Sequence, residues 1–286
     1  MPQPETILLT GAAGIVGSAV RPLLAERYRT LVSTDIRPVD QLAENERFVQ
    51  GDLRDALFAD RIMQDVDGVV HLGGLVGPNF TYEQVMDVNV DGAHHLLRAA
   101  AEHDVKQFIY ASSHHAVGFF PRDAAIESRT PHRPDSFYGI SKAIGETIAT
   151  YYADKHGLNV LTVRIGYVGD TVIDERRLHT WCSPRDLVQL IAIGLGRDDL
   201  GYRVAYGVSE TPGPFFDNSA ATALGYRPRD RALDHLADPS IATERPDQTL
   251  LENRLVGGYF GANGFRGDAD RLSALADEFK AENRER

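Results

Sequence analysis

The stretch "TILLTGAAGIVGSAV", residues 6–20, decides the fold. An apolar run of strand length passes directly into Gly11, Gly14 and Gly17, spaced three apart, and then into a segment that reads as a helix from about Ile15 to Tyr28. Small residues at those three places let the backbone approach a pyrophosphate, whose charge is met by N–H groups at the start of the helix. The next apolar run, "TLVSTD", ends at Asp35, 18 positions beyond Gly17. A carboxylate there accepts hydrogen bonds from both ribose hydroxyls and repels a 2′-phosphate, which favours NAD over NADP. Arg37, close by, is the residue that keeps NADP open as an alternative. Pro22 conflicts with the helix and predicts a local kink.

Outward from this stretch the same alternation continues. The runs "RFVQGD", "GVVHLGG", "QFIYASS" and "NVLTVRIG" are separated by helical segments, the pattern of a doubly wound α/β fold with a parallel sheet covered on both faces. "YEQVMDVNVDGAHHLLRAAAEH" puts Val85, Val88, Leu96 and Ala100 on one helical stripe, and "SFYGISKAIGETIATYYADKHG" is a long helix ending at Gly157. Asp52 and Leu53 follow the third run, placed to meet an adenine, and His71 to Gly74 close the fourth where the backbone passes the phosphates. After Gly166 the runs shorten and are broken by Pro and Gly. The expected division is therefore an NAD-binding Rossmann domain over 1–166 and a smaller C-terminal substrate-binding lobe over 167–286 that does not fold independently. The tail "DADRLSALADEFKAENRER" reads as one amphipathic helix.

Composition removes several other classes. A chain of 286 residues with one cysteine, Cys182, holds neither a disulfide framework nor a multi-cysteine zinc cluster. A net charge of −11 disfavours nucleic acid, which needs clustered Lys and Arg to neutralise phosphates. The opening "MPQPETILLTG" has no basic region and too short an apolar run for a signal or membrane segment, so the expectation is a soluble cytoplasmic protein.

Tyr138 and Lys142 form Tyr-x-x-x-Lys inside a helix, so both side chains leave one face a turn apart. A phenol is a poor base at neutral pH, and a nearby ammonium stabilises its phenolate. Ser113, 25 residues upstream at a strand end, completes a proton-transfer set. Ser113-His114-His115 invites two other readings, and both fail. Adjacent strand residues point to opposite faces and no Gly-x-Ser-x-Gly elbow surrounds Ser113, which removes a hydrolase. Neighbouring histidines rarely chelate one ion and no third ligand stands at the right spacing, which leaves no metal site.

Together "GAAGIVG", Asp35, "HLGG", Asn89, Ser113 and "YGISK" resemble the extended short-chain dehydrogenase/reductases, and "LGYRP" (224–228) resembles their substrate lobe. "YASSHHAVGFFPR", "RPDSFYGISKAIGE", "RRLHTWCSPRDLVQLI" and "FFDNS" are more specifically similar to the uronate dehydrogenases, which oxidise C1 of a hexuronic acid with NAD+ to an aldarolactone. The resemblance implies a cofactor site of Gly11, Gly14, Ile15, Val16, Gly17, Asp35, Asp52, Leu53, Leu72, Gly73, Gly74, Tyr138, Lys142 and Ile165. It implies that Ser113 orients the C1 hydroxyl, Tyr138 removes its proton, Lys142 holds the nicotinamide ribose and Asn89 organises a relay water. The implied substrate site is Val76, Ser113, His114, His115, Tyr138, Tyr167 and Arg176, with Arg176 gripping the carboxylate through two parallel hydrogen bonds. Arg177 is the competitor for that role. Three positions depart from the pattern: His114 replaces an asparagine, Val76 stands where a serine is expected, and Tyr167 replaces a small hydroxyl residue. These departures keep open a hexose 6-phosphate or 6-sulfonate as substrate. A nucleotide-sugar epimerase or dehydratase shares the fold and the Ser/Tyr/Lys set but commonly needs a larger lobe than follows Gly166. A binding protein that retains NAD without catalysis is disfavoured by the intact set. A homo-oligomer is expected.

Overall fold

The computed structural model describes residues 4–124, 126–272 and 274. The main sheet has strands β1 (Thr6–Thr10), β2 (Thr30–Asp35), β3 (Glu46–Gln50), β4 (Gly68–His71), β5 (Gln107–Ser113) and β6 (Asn159–Ile165). A short parallel pair, β7 (Tyr167–Val168) and β8 (Trp181–Cys182), stands apart, and β9 (Tyr202–Gly207) completes the seven-stranded sheet in the order β3-β2-β1-β4-β5-β6-β9. Every pairing in the main sheet is parallel. This is a Rossmann-type doubly wound sheet.

Successive strand side chains point to opposite faces, and both faces are buried. In β1, Ile7 and Leu9 enter a core with Val20, Leu24, Leu31, Ile109 and Ile191, under helices α1 (Ile15–Arg27) and, later in the chain, Pro184–Leu195. Leu8, between them, enters the opposite core with Val32, Val69, Phe108 and Leu96. That face is covered by α2 (Ala56–Ile62), by the helical run through α3 (Tyr82–Val85) and α4 (Gly92–Glu102), and by α5 (Phe137–His156). The remaining helices used below are α6 (Glu175–Leu178) and α7 (Pro184–Leu195).

Two expectations change. The division between 1–166 and 167–286 does not coincide with the layers, because β9 pairs with β6 and α7 packs on β5, both on the main sheet. The sequence obscured this because "YRVAYG" alternates only weakly and follows a stretch interrupted by Gly and Pro. The expected helix over Ile15 to Tyr28 is found as Ile15–Arg27 with Tyr28 as its C-cap, and Pro22 lies inside it on the exposed side. The stripe Val85–Val88–Leu96–Ala100 is not one regular α-helix: Met86–Asp91 is a π-helical turn. The widened turn leaves Val88 half-buried and gives the inward place to Asn89. Most of the tail helix expectation lies outside the described residues.

Strand order reverses between β1 and β4. In open α/β sheets the crevice beyond the carboxyl ends of the strands at such a switch point is where a ligand binds.

Candidate active site

The crevice at the switch point is lined by Gly11, Gly14, Asp35, Arg37, Asp52, Leu53, Leu72, Gly73, Gly74, Leu75 and Val88. Gly11 has φ +72, and a Cβ there would lie 2.6 Å from the Gly73 nitrogen. Only glycine lets the β1 turn press this closely on the β4 turn. Gly14 caps α1 without a side-chain hydrogen bond, and no acidic residue occupies the first turn. The N–H groups there are thus left for an anion, as a dinucleotide pyrophosphate requires. Ile15 is 84% exposed at the same end, whereas Val16 packs against the core.

Asp35 Oδ2 accepts from the Ala13 nitrogen at 3.0 Å and Oδ1 from the Arg37 nitrogen at 3.0 Å, which fixes the carboxylate on the wall of the crevice. Arg37 folds back to donate to the Ala13 carbonyl at 2.7 Å. Asp52 is held by Arg54, whose hydrogen bonds keep its carboxyl below the ordinary range. Thr10 Oγ1 accepts from the Gly73 nitrogen at 3.2 Å and meets His71 Nδ1 at 2.8 Å. Burial pushes His71 down to about 3, so this neutral imidazole is part of the strand-end framework.

At the other end of the crevice, α5 begins with Ser136 accepting from the Gly139 nitrogen, which fixes the turn carrying Tyr138. Tyr138 and Lys142 leave one face and both are buried. Burial pushes Tyr138 up to about 12, a hydrogen bond with Ser113 opposes that shift, and the Asp135 charge adds to it. Lys142 Nζ donates to the Ala111 carbonyl at 2.8 Å, stands 5.8 Å from the Tyr138 ring centre, and is pushed down to about 8 by burial.

Asn89 is committed to the protein. Its Oδ1 accepts from the Leu75 nitrogen at 2.7 Å, while Nδ2 donates to the Leu75 carbonyl at 3.0 Å and to Ser141 Oγ at 2.9 Å. Both N–H donors are used, so the amide clamps the β4 turn to α5. A relay water at Asn89 would have to donate to the second lone pair of Oδ1.

His114 and His115 lie on a short 3₁₀ turn after β5, not on the strand itself. Their rings stand 4.2 Å apart. His114 Nδ1 faces the Ile165 carbonyl at 3.0 Å, and Arg176 Nη1 faces His114 Nε2 at 3.2 Å. Ile165 therefore offers its carbonyl to His114. His115 Nδ1 meets buried Asp135 Oδ2 at 2.7 Å, and its ring stacks on Phe260 at 4.0 Å and meets Tyr138 edge-on. Tyr167 does not join this group: its ring lies under the Arg177 guanidinium, beside the Trp181 cluster. Arg177 also pairs with Asp174, so of the two candidate arginines only Arg176 faces the histidines. Val76 is 64% exposed and follows Leu75, which lines the crevice.

Sequence reasoning missed Asp135 and Phe260. Asp135 stands three residues before Tyr138 in "RPDSFY" and could have been weighed as a histidine partner. Phe260 arrives from the far end of the chain, where Val256 and Gly257 bond to Phe120 and Gly118, and no local signal announces it.

Behind Ser113 lies a buried ion pair. Glu146 takes Arg164 Nε and Nη2 at 3.0 and 2.9 Å, His132 at 2.8 Å and the Ser112 hydroxyl. Burial alone would raise its pKa, yet His132, Arg164 and Ser112 hold it at about 2. Glu146→Gln should therefore cost about 3–5 kcal/mol at neutral pH, read from urea unfolding, because it strands the Arg164 charge. A carboxyl depressed in the folded state stabilises above its unfolded pKa near 4.5, and that contribution is lost as pH falls toward 2. The variant should show a shallower loss of stability across that window. An unchanged urea midpoint would contradict the pairing.

The profile of the NAD dependent epimerase/dehydratase family matches residues 7–168. The chain belongs to this family. Within it, a Pseudomonas putida uronate dehydrogenase is 38% identical over 263 residues, covering 90% of this chain and 96% of that protein. The crystal structure of uronate dehydrogenase from Agrobacterium tumefaciens matches with a TM-score of 0.85 at 36% identity, over 91% of this chain and 97% of that one, and a mutant of that enzyme has been solved with NAD. A Haloferax volcanii protein named NAD-dependent glucose-6-phosphate dehydrogenase is 33% identical, over 82% of this chain and 96% of its own. Family membership accounts for the glycine turn and the crevice at the switch point, and the uncapped α1 terminus with Asp35 fits NAD. Among the described residues no group of three His, Cys, Asp or Glu is placed to hold a metal ion. No helix among them is long and apolar enough to cross a membrane.

Proposed function

We propose that the protein is an NAD-dependent uronate dehydrogenase, oxidising C1 of a hexuronate such as glucuronate or galacturonate to the aldarolactone. The observation that carries this reading is the meeting of Ser113, Tyr138 and Lys142 at one end of the dinucleotide crevice, with Arg176 across His114 from them. Gly11, Gly14, Gly17 and the α1 terminus would hold the pyrophosphate, Asp35 the adenosine ribose, Leu53 and Leu72 to Leu75 the adenine side and backbone path. NAD+, when bound, would supply the acceptor for the C1 hydride.

Ser113 donates to the C1 oxygen and orients it toward Tyr138. The Tyr138 phenolate takes the hydroxyl proton as the C1–H electron pair departs, and the C1–O bond becomes the lactone carbonyl. Lys142, held in reach by Ala111, offers its ammonium to the phenolate side of the site and to the nicotinamide ribose. Arg176 binds the C6 carboxylate. Both of its hydrogen bonds among the described residues, to His114 and to the Val256 carbonyl at 3.0 Å, run from Nη1. Nε and Nη2 are then the donors for the substrate.

The test is NAD+ reduction with glucuronate, galacturonate, glucose 6-phosphate, sulfoquinovose and glucose. The uronates should give the highest kcat/KM. Glucose 6-phosphate exceeding both would transfer the reading to the phosphorylated sugar, and neutral glucose exceeding every anion would remove the carboxylate contact altogether. Cofactor choice follows from Asp35. Asp35→Ser should lower the NAD-to-NADP preference by about 10–100-fold, the value of one charge-assisted ribose contact. It also removes the repulsion of a 2′-phosphate and frees the Arg37 backbone contact. Unaltered preference in the variant would show that another residue selects the cofactor.

A further inference from the structure

We propose that His114 is a positioning residue that tethers Arg176 in its carboxylate-binding pose, acting through the guanidinium and not by touching the sugar. The proposal rests on the reading that Arg176 binds the substrate carboxylate, and it assigns His114 a role different from the substrate contact expected of it.

The tether follows from which atoms can donate. A carbonyl only accepts, so the 3.0 Å contact with Ile165 places the imidazole proton on Nδ1. Nε2 then carries a lone pair, and Arg176 Nη1, which only donates, stands 3.2 Å from it. The pairing requires a neutral ring. Burial, with His115 and Arg176 nearby, lowers His114 well below the ordinary histidine value, consistent with that requirement. The ring is also flanked sideways, tilted against His115 with centroids 4.2 Å apart and 6.4 Å from the Phe216 ring.

The rest of the Arg176 surroundings complete the clamp. The second Nη1 hydrogen goes to the Val256 carbonyl. Gly258, at φ +59, lies so close that a Cβ there would stand 2.7 Å from Arg176 Cδ. The turn carrying His114 and the segment from Val256 to Gly258 therefore hold the side chain from two separate parts of the chain, and Nε and Nη2 keep no hydrogen-bond partner among the described residues. Burial pushes Arg176 down to about 10, so it remains charged at neutral pH. A long arginine side chain that must order itself on binding loses rotamer freedom, and holding it beforehand removes that cost.

The geometry supplies a discriminating pair of substitutions. An asparagine amide ends where histidine Nδ1 lies, so His114→Asn keeps a donor for Ile165 and stops short of Arg176. A glutamine amide ends where Nε2 lies, so His114→Gln can still accept from Arg176. The readout is the ratio of kcat/KM for glucuronate to that for glucose, which cancels changes in the chemical step. His114→Asn should lower this ratio about 5–10-fold, chiefly through the glucuronate KM, and His114→Gln should recover most of it. Arg176→Ala serves as the reference and should lower the ratio further. If Arg176→Ala lowers the ratio and His114→Asn does not, the tether is overturned while the carboxylate contact stands. If Arg176→Ala leaves the ratio unmoved, the carboxylate contact itself falls and the tether with it. Equal losses in the Asn and Gln variants would also overturn it, since the Nε2 position would then not matter.

Discussion

Tyr138→Phe should lower kcat about 1,000-fold with any hexuronate while the NAD dissociation constant, from fluorescence titration, changes by less than about 3-fold. The substitution removes one oxygen and keeps the ring that packs against His115 and Phe260. The pH profile carries a second signature. The base acts in its deprotonated form and burial raises the phenol to about 12, so kcat/KM of the native enzyme should climb with pH through neutrality. Lys142, pushed down to about 8, loses its charge on the same side, and the climb should flatten above that point. The residual rate of the phenylalanine variant should be flat over this range. Near-native turnover in the variant would remove Tyr138 from the chemistry.

The parts of this site that sequence reasoning reached are those fixed by local chain geometry. Gly11 and Gly14 are legible because the turn between β1 and α1 accepts few other residues. Tyr138 and Lys142 are legible because a helix puts i and i+4 on one face wherever that helix lies. What was not legible depends on chain segments far apart. Asn89 owes its inward direction to a π-helical turn, which no 3.6-residue periodicity reveals, and its amide is taken by Leu75 and Ser141. Strand alternation would point His114 away from Ser113, yet the strand ends at Ser113 and the next residues curl into a 3₁₀ turn. Its partners, Ile165 and Arg176, lie 51 and 62 positions along the chain. Phe260 is more distant still. The change in pattern at Gly166 points to a separate lobe for β9, whereas sheet membership is set by pairing with β6, a long-range property that composition does not encode.

Arg176→Ala should lower kcat/KM for glucuronate about 100–1,000-fold and leave that for glucose within about 5-fold. The size follows from two charge-assisted hydrogen bonds, each contributing about 1.5–3 kcal/mol when water is excluded, discounted because the lost pair is partly replaced by solvent. The loss should fall mainly on KM, since the carboxylate is bound equally in the ground and transition states and lies away from C1. Arg176→Lys separates charge from shape. A lysine retains a cation but has one ammonium to divide among the Val256 carbonyl, His114 and the substrate, and it lacks the planar edge that matches a carboxylate. It should recover less than about a tenth of the lost kcat/KM. Arg177→Ala is the contrasting substitution. That side chain is engaged with Asp174 and the Tyr167 ring, so its removal should change the glucuronate-to-glucose ratio by less than about 3-fold. The adjacent arginines carry the same charge at nearly the same place, and only their hydrogen-bond geometry separates them. An Arg177 effect as large as that of Arg176 would mean that the carboxylate is recognised by general positive potential, and the substrate pose drawn from Nε and Nη2 would be wrong.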